Sequence, residues 1–253
     1  MDEQYALEIM GQTGAVLTNS HFVYASWKHG RVYINKDAVY PHIAETSHLC
    51  RGIAEHFQGD GIEVVVAPAI GGVILSQWTT QHLISLTGRK VLATYAEHDD
   101  SFVMEAGSSD IHIPLPPGTF DRENDDDEII LHPGEKLYIR KPGFVIKRGY
   151  DKQVSGKRVL VVEDVLTTGA SAGHVVEVTR VMGGDVVGLG ALCNRGGVTP
   201  EDVGGVPKLH ALVDVTLDTW TEEECLLNGP CSEGVPVNTD VGKGREFLAC
   251  QRA

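Results

Sequence analysis

The sequence predicts an α/β protein with a central parallel sheet flanked by helices, and three observations lead to this prediction. Apolar runs at 62–67, 159–162 and 186–193, in which Glu63 is the one charged residue, are typical of strands buried on both faces of a parallel sheet. Helical patterns follow the first two runs after turns that are rich in glycine or hydroxyl groups. The length of 253 residues allows a substantial core, as one elaborated domain or a domain with appendages.

The first sixty residues predict three elements. A short helix is expected over residues 3–10 and ends at Gly11, and the alternation at 32–35 predicts a strand of an antiparallel hairpin. Pro41 then starts a second helix. The inward face of this helix is predicted to carry Ile43, Ser47, Cys50, Ile53, Ala54 and Phe57.

A strand–helix–strand unit follows. Strands are predicted at 62–67 and 90–96, with a helix at 73–86 between them. This βαβ unit should be right-handed, and its loops should lie at the carboxyl ends of the strands.

Residues 98–136 interrupt the alternation of strands and helices. Asp, Gly, Ser and Pro are abundant there, and 121–128 is an acidic run, so we expect a solvated loop or hairpin insertion. Residues 137–148 predict two short strands around Pro142. Downstream, we expect a helix over 172–182 and a last strand over 209–215.

Composition excludes some classes of partner. The chain has 35 acidic and 21 basic residues, which argues against a nucleic-acid surface. No apolar run approaches membrane length, and the N-terminus lacks a signal-peptide pattern. The five cysteines are scattered and odd in number, which is typical of reduced thiols, so we expect a cytoplasmic protein. From the charge and the apolar runs we expect neither nucleic-acid nor membrane partners.

The most informative stretch is RVLVVEDVLTTGAS, residues 158–171. The apolar strand runs into two carboxylates, Glu163 and Asp164, which can accept hydrogen bonds from sugar hydroxyls or help hold a Mg²⁺ shell beside a polyphosphate. The turn that follows is rich in hydroxyls and glycine, and its amides can cradle a phosphate. The pattern therefore indicates a ligand with a ribose, a phosphate and a metal ion.

Residues 159–171 closely resemble the phosphoribosyl-pyrophosphate (PRPP) signature of the type I phosphoribosyltransferases. The resemblance implies that Glu163 and Asp164 meet the ribose hydroxyls and that Mg²⁺ is bound through PRPP, with Asp164 as a candidate ligand. It also implies that the 5′-phosphate is held by Thr167, Thr168, Gly169, Ala170 and Ser171.

The loop after the 62–67 strand fits the same family. In related enzymes the equivalent loop holds pyrophosphate and contains a non-proline cis peptide, which we place by position at Ala69–Ile70. The amides of a loop between strand and helix can face an anion. The resemblance therefore assigns pyrophosphate binding to Ala69, Ile70, Gly71 and Gly72.

The basic residues are assigned through a resemblance to orotate phosphoribosyltransferases, which carry a mobile loop between two phrases. In one register, Tyr95-Ala96-Glu97 and Lys147-Arg148-Gly149-Tyr150 are these phrases. In the other, Tyr138-Ile139-Arg140-Lys141 is the first phrase, and Arg140 and Lys141 would bind PRPP. Both registers place Lys147 and Arg148 near the ligand as candidate catalytic cations.

The base pocket is predicted from two further phrases. LGALCNRG, residues 189–196, resembles the family strand whose arginine contacts the orotate carboxylate, although Asn194 replaces the usual Asp. A guanidinium suits a planar carboxylate, so Arg195 is the candidate. The N-terminal segment resembles the hood that covers the base, and Tyr33 and Lys36 are candidates there.

The C-terminal tail resembles that of family members with a Cys-Pro-Leu-Cys-like pair. Here Cys225 and Cys231 are separated by five residues, and His210 is the nearest upstream histidine. No second pair completes a tetrahedral site in this pattern, so we expect structural or idle thiols rather than a zinc site.

These observations predict a type I phosphoribosyltransferase fold. Residues 1–40 and 216–253 should form a hood over a PRPP-binding core at 41–215, which contains the acidic insertion at about 98–136. The expected reaction is Mg²⁺-dependent transfer from PRPP to a nucleobase, most like orotate, in pyrimidine nucleotide synthesis. The resemblance also implies a homodimer.

Two alternatives remain open from the sequence. The altered hood phrase and Asn194 allow a purine or another base as acceptor. The enlarged acidic loop and its unassigned cation allow a PRPP-binding regulator without catalysis. Comparing bases as co-substrates tests the first alternative, and PRPP binding without turnover would favour the second.

Overall fold

The computed structural model describes residues 1–24, 26–98, 102–105, 108–114, 128–139 and 143–250. The helices are α1 (Glu3–Gln12), α2 (Ile43–Phe57), α3 (Gly71–Thr87), α4 (Asp151–Val154), α5 (Ala170–Val181), α6 (Glu222–Asn228) and α7 (Gly244–Cys250). The strands of the central sheet are β5 (Val64–Pro68), β6 (Leu92–His98), β11 (Phe144–Val145), β12 (Arg158–Leu166), β13 (Asp185–Asn194) and β14 (Leu209–Asp214). The smaller ladders contain β1 (Val16–Leu17), β2 (Phe22–Val23), β3 (His29–Gly30), β4 (Tyr33–Ile34), β7 (Phe102–Glu105), β8 (Ile111–Pro114), β9 (Glu128–Leu131), β10 (Lys136–Ile139) and β15 (Thr219–Trp220).

The central sheet confirms the predicted fold class. Its six strands lie in the order β11-β6-β5-β12-β13-β14. The pairs β6–β5, β5–β12, β12–β13 and β13–β14 are all parallel. From β5 the chain crosses through α3 to β6, whereas from β12 it crosses through α5 to β13 on the other side. The direction of winding therefore reverses between β5 and β12, which creates a crevice at their carboxyl ends.

Helices cover both faces of this sheet because its strands are apolar on both faces. Leu160 and Val162 of β12 pack into a core with α1, α2 and α3, whereas Val159 and Val161 pack into a second core with α5. Alternate residues of a strand point to opposite faces, so one valine-rich run supplies both cores.

The second helix was predicted with one wrong inward residue. Ile43 was expected to face the core, yet it is 67% exposed. The buried face of α2 begins one turn later at Thr46, whose hydroxyl donates to the carbonyl of Val39 at 2.9 Å. This contact orients the first turn and leaves Ile43 on the outside.

The strand of the central motif extends beyond its apolar run at 159–162. β12 continues through Glu163 and Asp164 to Leu166. Parallel pairing with β13 extends to the pair Leu166–Asn194, which keeps the backbone extended. Both acids consequently lie inside the sheet, where they are 6% and 2% exposed.

The terminal segments form two small antiparallel ladders. β1 pairs with β4, and the sheet β15-β3-β2 joins residues 22–30 to residues 219–220. Neither α6 nor α7 was predicted from the glycine- and proline-rich tail. A capping box was visible in the sequence, since Thr221 caps α6 and Glu224 returns the hydrogen bond.

Residues 98–143 form a compact unit that is separate from the rest of the chain in its internal contacts. It contains two antiparallel pairs, β7 with β10 and β8 with β9. Of the two structures predicted for this insertion, a solvated loop or a hairpin, the antiparallel pairs correspond to the hairpin. Among the described residues, no helix has both the length and the apolarity that crossing a lipid bilayer requires.

Candidate active site

The candidate site lies at the carboxyl ends of β5, β12 and β13, where the winding of the sheet reverses. Three separate motifs predicted the parts of this site, namely the loop after β5, the acids and turn of residues 159–171, and Arg195 after β13. Parallel pairing brings the ends of these strands to one edge of the sheet. A ligand at this edge can contact all of them.

Asp164 has three partners at this edge. Its Oδ2 accepts a hydrogen bond from the hydroxyl of Tyr40 at 2.8 Å and lies 2.9 Å from Nζ of Lys36. Its Oδ1 accepts from the backbone amide of Val165 at 2.7 Å. Burial and the charge of Asp164 raise the pKa of Tyr40, so this hydroxyl remains a donor. Asp164 is thus held in one orientation by the sheet and by residues 36–40.

Lys36 neutralises part of the negative charge. Burial by itself would lower the pKa of Lys36, but the hydrogen bond and charge of Asp164 raise the pKa overall. Lys36 therefore remains cationic beside the carboxylate. It lies on the acid that was assigned to the ribose and also lines a cavity with Arg195.

Glu163 is in a different state from its neighbour. Its Oε1 accepts the backbone amide of Asp164 at 3.0 Å. Burial, with the adjacent negative charge of Asp164 adding to it, raises the pKa of Glu163 to about 8. Glu163 therefore keeps its proton to a higher pH than an ordinary glutamate, and in the protonated form it can donate as well as accept a hydrogen bond.

The loop after β5 closely approaches Asp164. The peptide Ala69–Ile70 is cis, which confirms the prediction. The amide of Ala69 donates to the carbonyl of Ala96 at 2.8 Å, which ties the loop to the end of β6. A Cβ on Gly71 would overlap Oδ2 of Asp164, so only glycine fits there without displacement. The first amides of the 17-residue α3 begin at this point and can face an anion.

The turn after β12 leads directly into α5. Gly169 has φ +76° and ψ −4°, a left-handed conformation that suits glycine, and it caps α5. The amides of Arg195 and Gly196 donate to the carbonyl of Leu166 at 3.0 and 3.2 Å. The turn is therefore held against the end of β13.

Arg195 connects the turn after β12, which is predicted to bind the 5′-phosphate, to the predicted base pocket. Its Nε donates to the hydroxyl of Thr167 at 3.0 Å, and both residues line two neighbouring cavities. One cavity contains all three residues that were predicted to bind the base, namely Tyr33, Lys36 and Arg195. The other is also lined by Tyr24, Ser26, Lys28, Gly196, Leu217 and Thr219. Both terminal segments thus supply walls to a site that contains Arg195.

The two phrases of one loop register lie together. Nε of Arg148 is 2.6 Å from Oε1 of Glu97, and the rings of Tyr95 and Tyr150 meet edge to face at 5.6 Å. Lys147 is exposed beside Arg148. The predicted PRPP ligands Arg140 and Lys141 lie outside the described residues.

Two contacts of this region were missed by sequence reasoning. Tyr40 belongs to no recognisable motif, and only the folded chain brings it to Asp164.

The expectation that no second pair would join Cys225 and Cys231 was wrong. Side chains of His21 and His29 lie beside both thiols. The wide separation of these histidines from the tail left no local spacing signal.

Comparisons with known proteins agree with this geometry. No family model matches the chain. Curated proteins named orotate phosphoribosyltransferase from Caldanaerobacter subterraneus subsp. tengcongensis and from Desulforamulus reducens are each 30% identical to it. These alignments cover 94% and 93% of this chain and 96% and 95% of the relatives. The crystal structure of Mycobacterium tuberculosis orotate phosphoribosyltransferase in complex with PRPP has a TM-score of 0.51 and 17% identity, and covers 85% of this chain and 96% of that one.

Proposed function

The chain belongs to the orotate phosphoribosyltransferase family, and on this premise we propose that it transfers the phosphoribosyl group of PRPP to orotate. The products would be orotidine 5′-phosphate and pyrophosphate, in pyrimidine nucleotide synthesis. The observation that carries the proposal is the meeting of Asp164, Gly71 and Arg195 with the phosphate turn at one sheet edge.

The proposed binding of PRPP divides among three parts of this edge. The amino end of α5 and its preceding turn, residues 167–171, would hold the 5′-phosphate. Glu163 and Asp164 would hold the ribose hydroxyls, with the protonated Glu163 able to donate. The loop 69–72 and the first turn of α3 would hold pyrophosphate through backbone amides. Each group of PRPP then has a complementary partner.

In the proposed reaction, the bond between the anomeric carbon and a pyrophosphate oxygen breaks, and a bond to a ring nitrogen of orotate forms. The proton of that nitrogen is released to the leaving pyrophosphate or to water. The electron pair of the broken bond leaves with pyrophosphate. Positive charge grows on the sugar and negative charge on the leaving group. The chain would contribute by fixing both substrates and by placing charges that match this change. Lys147 and Arg148 remain candidates for the cations that face the leaving group.

Arg195 is proposed to select the base by binding the orotate carboxylate. Its Nε is already used by Thr167, which fixes the plane of the guanidinium. Lys28 lines the same cavity and adds positive charge for an anionic base. A neutral base would leave these cations without a partner, which favours orotate over a purine.

Mg²⁺ is proposed as the cofactor. Carboxylate oxygens suit this hard cation, so the donor set at Glu163 and Asp164 is compatible with it. Both oxygens of Asp164 already have partners in Tyr40, Lys36 and the amide of Val165. We therefore place the ion mainly on the oxygens of PRPP, with Asp164 nearby, where it would neutralise charge on pyrophosphate.

A cytoplasmic homodimer is proposed with this activity. The dimer rests on family membership, and light scattering on the purified chain would test it. The five cysteines are all free thiols, which is typical of proteins in the reducing cytoplasm.

The test is the loss of orotate absorbance on mixing the purified chain with PRPP, orotate and Mg²⁺. We expect turnover that stops when a chelator removes Mg²⁺ and returns when the ion is restored. Adenine, hypoxanthine and uracil are offered in parallel as alternative bases. Turnover of a purine but not of orotate would overturn the proposed substrate. PRPP binding by calorimetry without turnover of any base would instead indicate a regulator.

A further inference from the structure

Four potential metal ligands meet where the two ends of the chain pair with each other. We name the side chains of His21, His29, Cys225 and Cys231 the terminal cluster. Their closest ligand atoms all lie within 4.8 Å of one another. His21, His29 and Cys225 are 0–1% exposed, and Cys231 is partly buried. Four such groups in one buried place need a reason beyond packing, because imidazole and thiol groups are polar.

The separations within the terminal cluster suit a single tetrahedral ion. Sγ of Cys231 lies 3.4 Å from Nδ1 of His29 and 3.7 Å from Nε2 of His21, and Sγ of Cys225 lies 4.0 Å from the same Nε2. Zinc bonds of about 2.3 Å to sulfur and about 2.0 Å to nitrogen imply roughly 3.6 Å between sulfur and nitrogen in a tetrahedron. These contacts leave space for one ion rather than for a cluster of two irons.

The two imidazole nitrogens are closer than they would be around an ion. Nε2 of His21 and Nδ1 of His29 are 2.7 Å apart, which is a hydrogen bond that shares one proton. A tetrahedral ion separates two such nitrogens by roughly 3.3 Å. Binding would therefore displace this proton and move the rings apart by about half an ångström.

Neighbouring groups already orient the ligand atoms. Nδ1 of His21 lies 3.0 Å from the carbonyl of Val235, which can only accept, so the neutral ring carries its proton on Nδ1 and presents a lone pair on Nε2. The backbone amide of Cys231 donates to Sγ of Cys225 at 3.2 Å. Backbone partners of this kind are typical around metal ligands.

We propose that the terminal cluster is a structural zinc site. Two thiolates and two neutral imidazoles would form an uncharged complex with Zn²⁺, which suits a buried position. The donor set of two sulfurs and two nitrogens favours zinc over Mg²⁺, which prefers oxygen. With all four positions filled by protein, the ion would have no place for substrate and so no part in the transfer reaction.

The zinc would join segments that are distant in the chain. His29 lies in β3, which pairs with β15, and Cys225 lies in α6 directly after β15. Residues of the same segments, Tyr24, Ser26 and Thr219, line a cavity with Arg195. The ion would therefore hold the walls of this cavity in place.

The first experiment measures metal in the full-length chain, purified without a histidine tag. We expect about one zinc ion per chain by inductively coupled plasma mass spectrometry. Cys225→Ser and His29→Asn should each lower the zinc content several-fold, whereas Cys250→Ser and His48→Asn, at exposed positions, should not. Zinc content that is near zero, or equal in all five proteins, would overturn the proposal.

A second measurement uses the unaltered chain and so does not depend on the folding of variants. Zinc is removed with a chelator, and Co²⁺ is added under reducing conditions. We expect the visible absorption of tetrahedral cobalt and a thiolate-to-cobalt band. Alkylation mapped by mass spectrometry should find Cys225 and Cys231 protected by the metal and Cys250 modified throughout. Absence of both signals, or a disulfide between Cys225 and Cys231 in the freshly purified chain, would refute the zinc site.

Discussion

At the scale of single residues, the adjacent acids Glu163 and Asp164 have different surroundings. Asp164 is paired with Lys36 and accepts hydrogen bonds from Tyr40 and from the amide of Val165. Glu163 is buried beside this charge, and its pKa is raised to about 8. Two neighbouring carboxylates can thus present one charged and one protonated group to a sugar, because ionising both would place like charges together in a buried site.

The raised pKa of Glu163 predicts a stability change with pH. Between about pH 5 and pH 8 the folded chain keeps a proton that the unfolded chain has released, so stability falls as pH rises, by at most about 1.4 kcal/mol per pH unit. Glu163→Gln should remove this pH dependence of the free energy of unfolding. Relative to the wild type, the variant should therefore be more stable at pH 8 than at pH 5. Urea unfolding at several pH values, with Glu177→Gln on the exposed face of α5 as control, tests this. Parallel curves for wild type and Glu163→Gln would contradict it.

Arg195 carries the second prediction at this scale. Arg195→Ala should raise the KM for orotate by about 10- to 100-fold, since a hydrogen bond to a charged group contributes roughly 1.5–3 kcal/mol. The KM for PRPP should change much less. Steady-state kinetics with each substrate varied will measure both constants. Arg51→Ala, which removes an exposed ion pair with Glu55, is the matched control. An unchanged KM for orotate would show that the base binds elsewhere.

At the scale of elements, the boundaries of β12 and α3 determine the site. Parallel pairing carries β12 two residues beyond Asp164, so its side chain is held by the sheet rather than by a turn. The first residue of α3, Gly71, meets that side chain directly. The space between Gly71 of α3 and the carboxylate of Asp164 in β12 is thus too small for a methyl group.

Gly71→Ala tests this close approach. The added Cβ would overlap Oδ2 of Asp164 and lie 3.1 Å from the hydroxyl of Tyr40, so the loop or the acid must move. We expect an increase of at least about tenfold in the KM for PRPP and a loss of about 1–3 kcal/mol in stability. Gly11→Ala is the control, because a Cβ there meets nothing within 4 Å. Near-identical effects of the two substitutions on PRPP use would rule out the proposed cradle.

At the scale of the whole molecule, the chain is built from a catalytic core and an inserted unit at 98–143. Both ends of the insertion belong to β6 and β11, which are neighbouring strands of the central sheet. A short linker can therefore join these ends without breaking the sheet.

Replacing residues 99–142 with a short glycine–serine linker should leave the core folded. PRPP binding should remain measurable by calorimetry, and any weakening would measure the contribution of Arg140 and Lys141, which the linker removes. Turnover should fall by at least about tenfold, because the family resemblance assigns to this segment the mobile loop that keeps water from the reacting centre. Unchanged turnover would show that the insertion has no part in the reaction, and loss of the folded core by circular dichroism would show that the two units fold together.

Local sequence patterns predicted most of the fold. The apolar runs identified β5, β12 and β13, because most positions of a strand buried on both faces are apolar. The helical period identified α1, α2, α3 and α5 to within a few residues. The motif at 159–171 and the loop at 69–72 also identified two turns that lead from a strand into a helix, because glycine is typical of such turns.

Tertiary structure alone decided which distant residues meet. Tyr40 and Asp164 are 124 positions apart, and His21 and Cys225 are 204 apart, so no local spacing could connect them. Sequence patterns determine which side of a helix or strand is buried, since that depends on neighbours in the chain. Contacts such as these depend on the order of strands in the sheet and on the pairing of the two chain ends, which arise only when the whole chain folds.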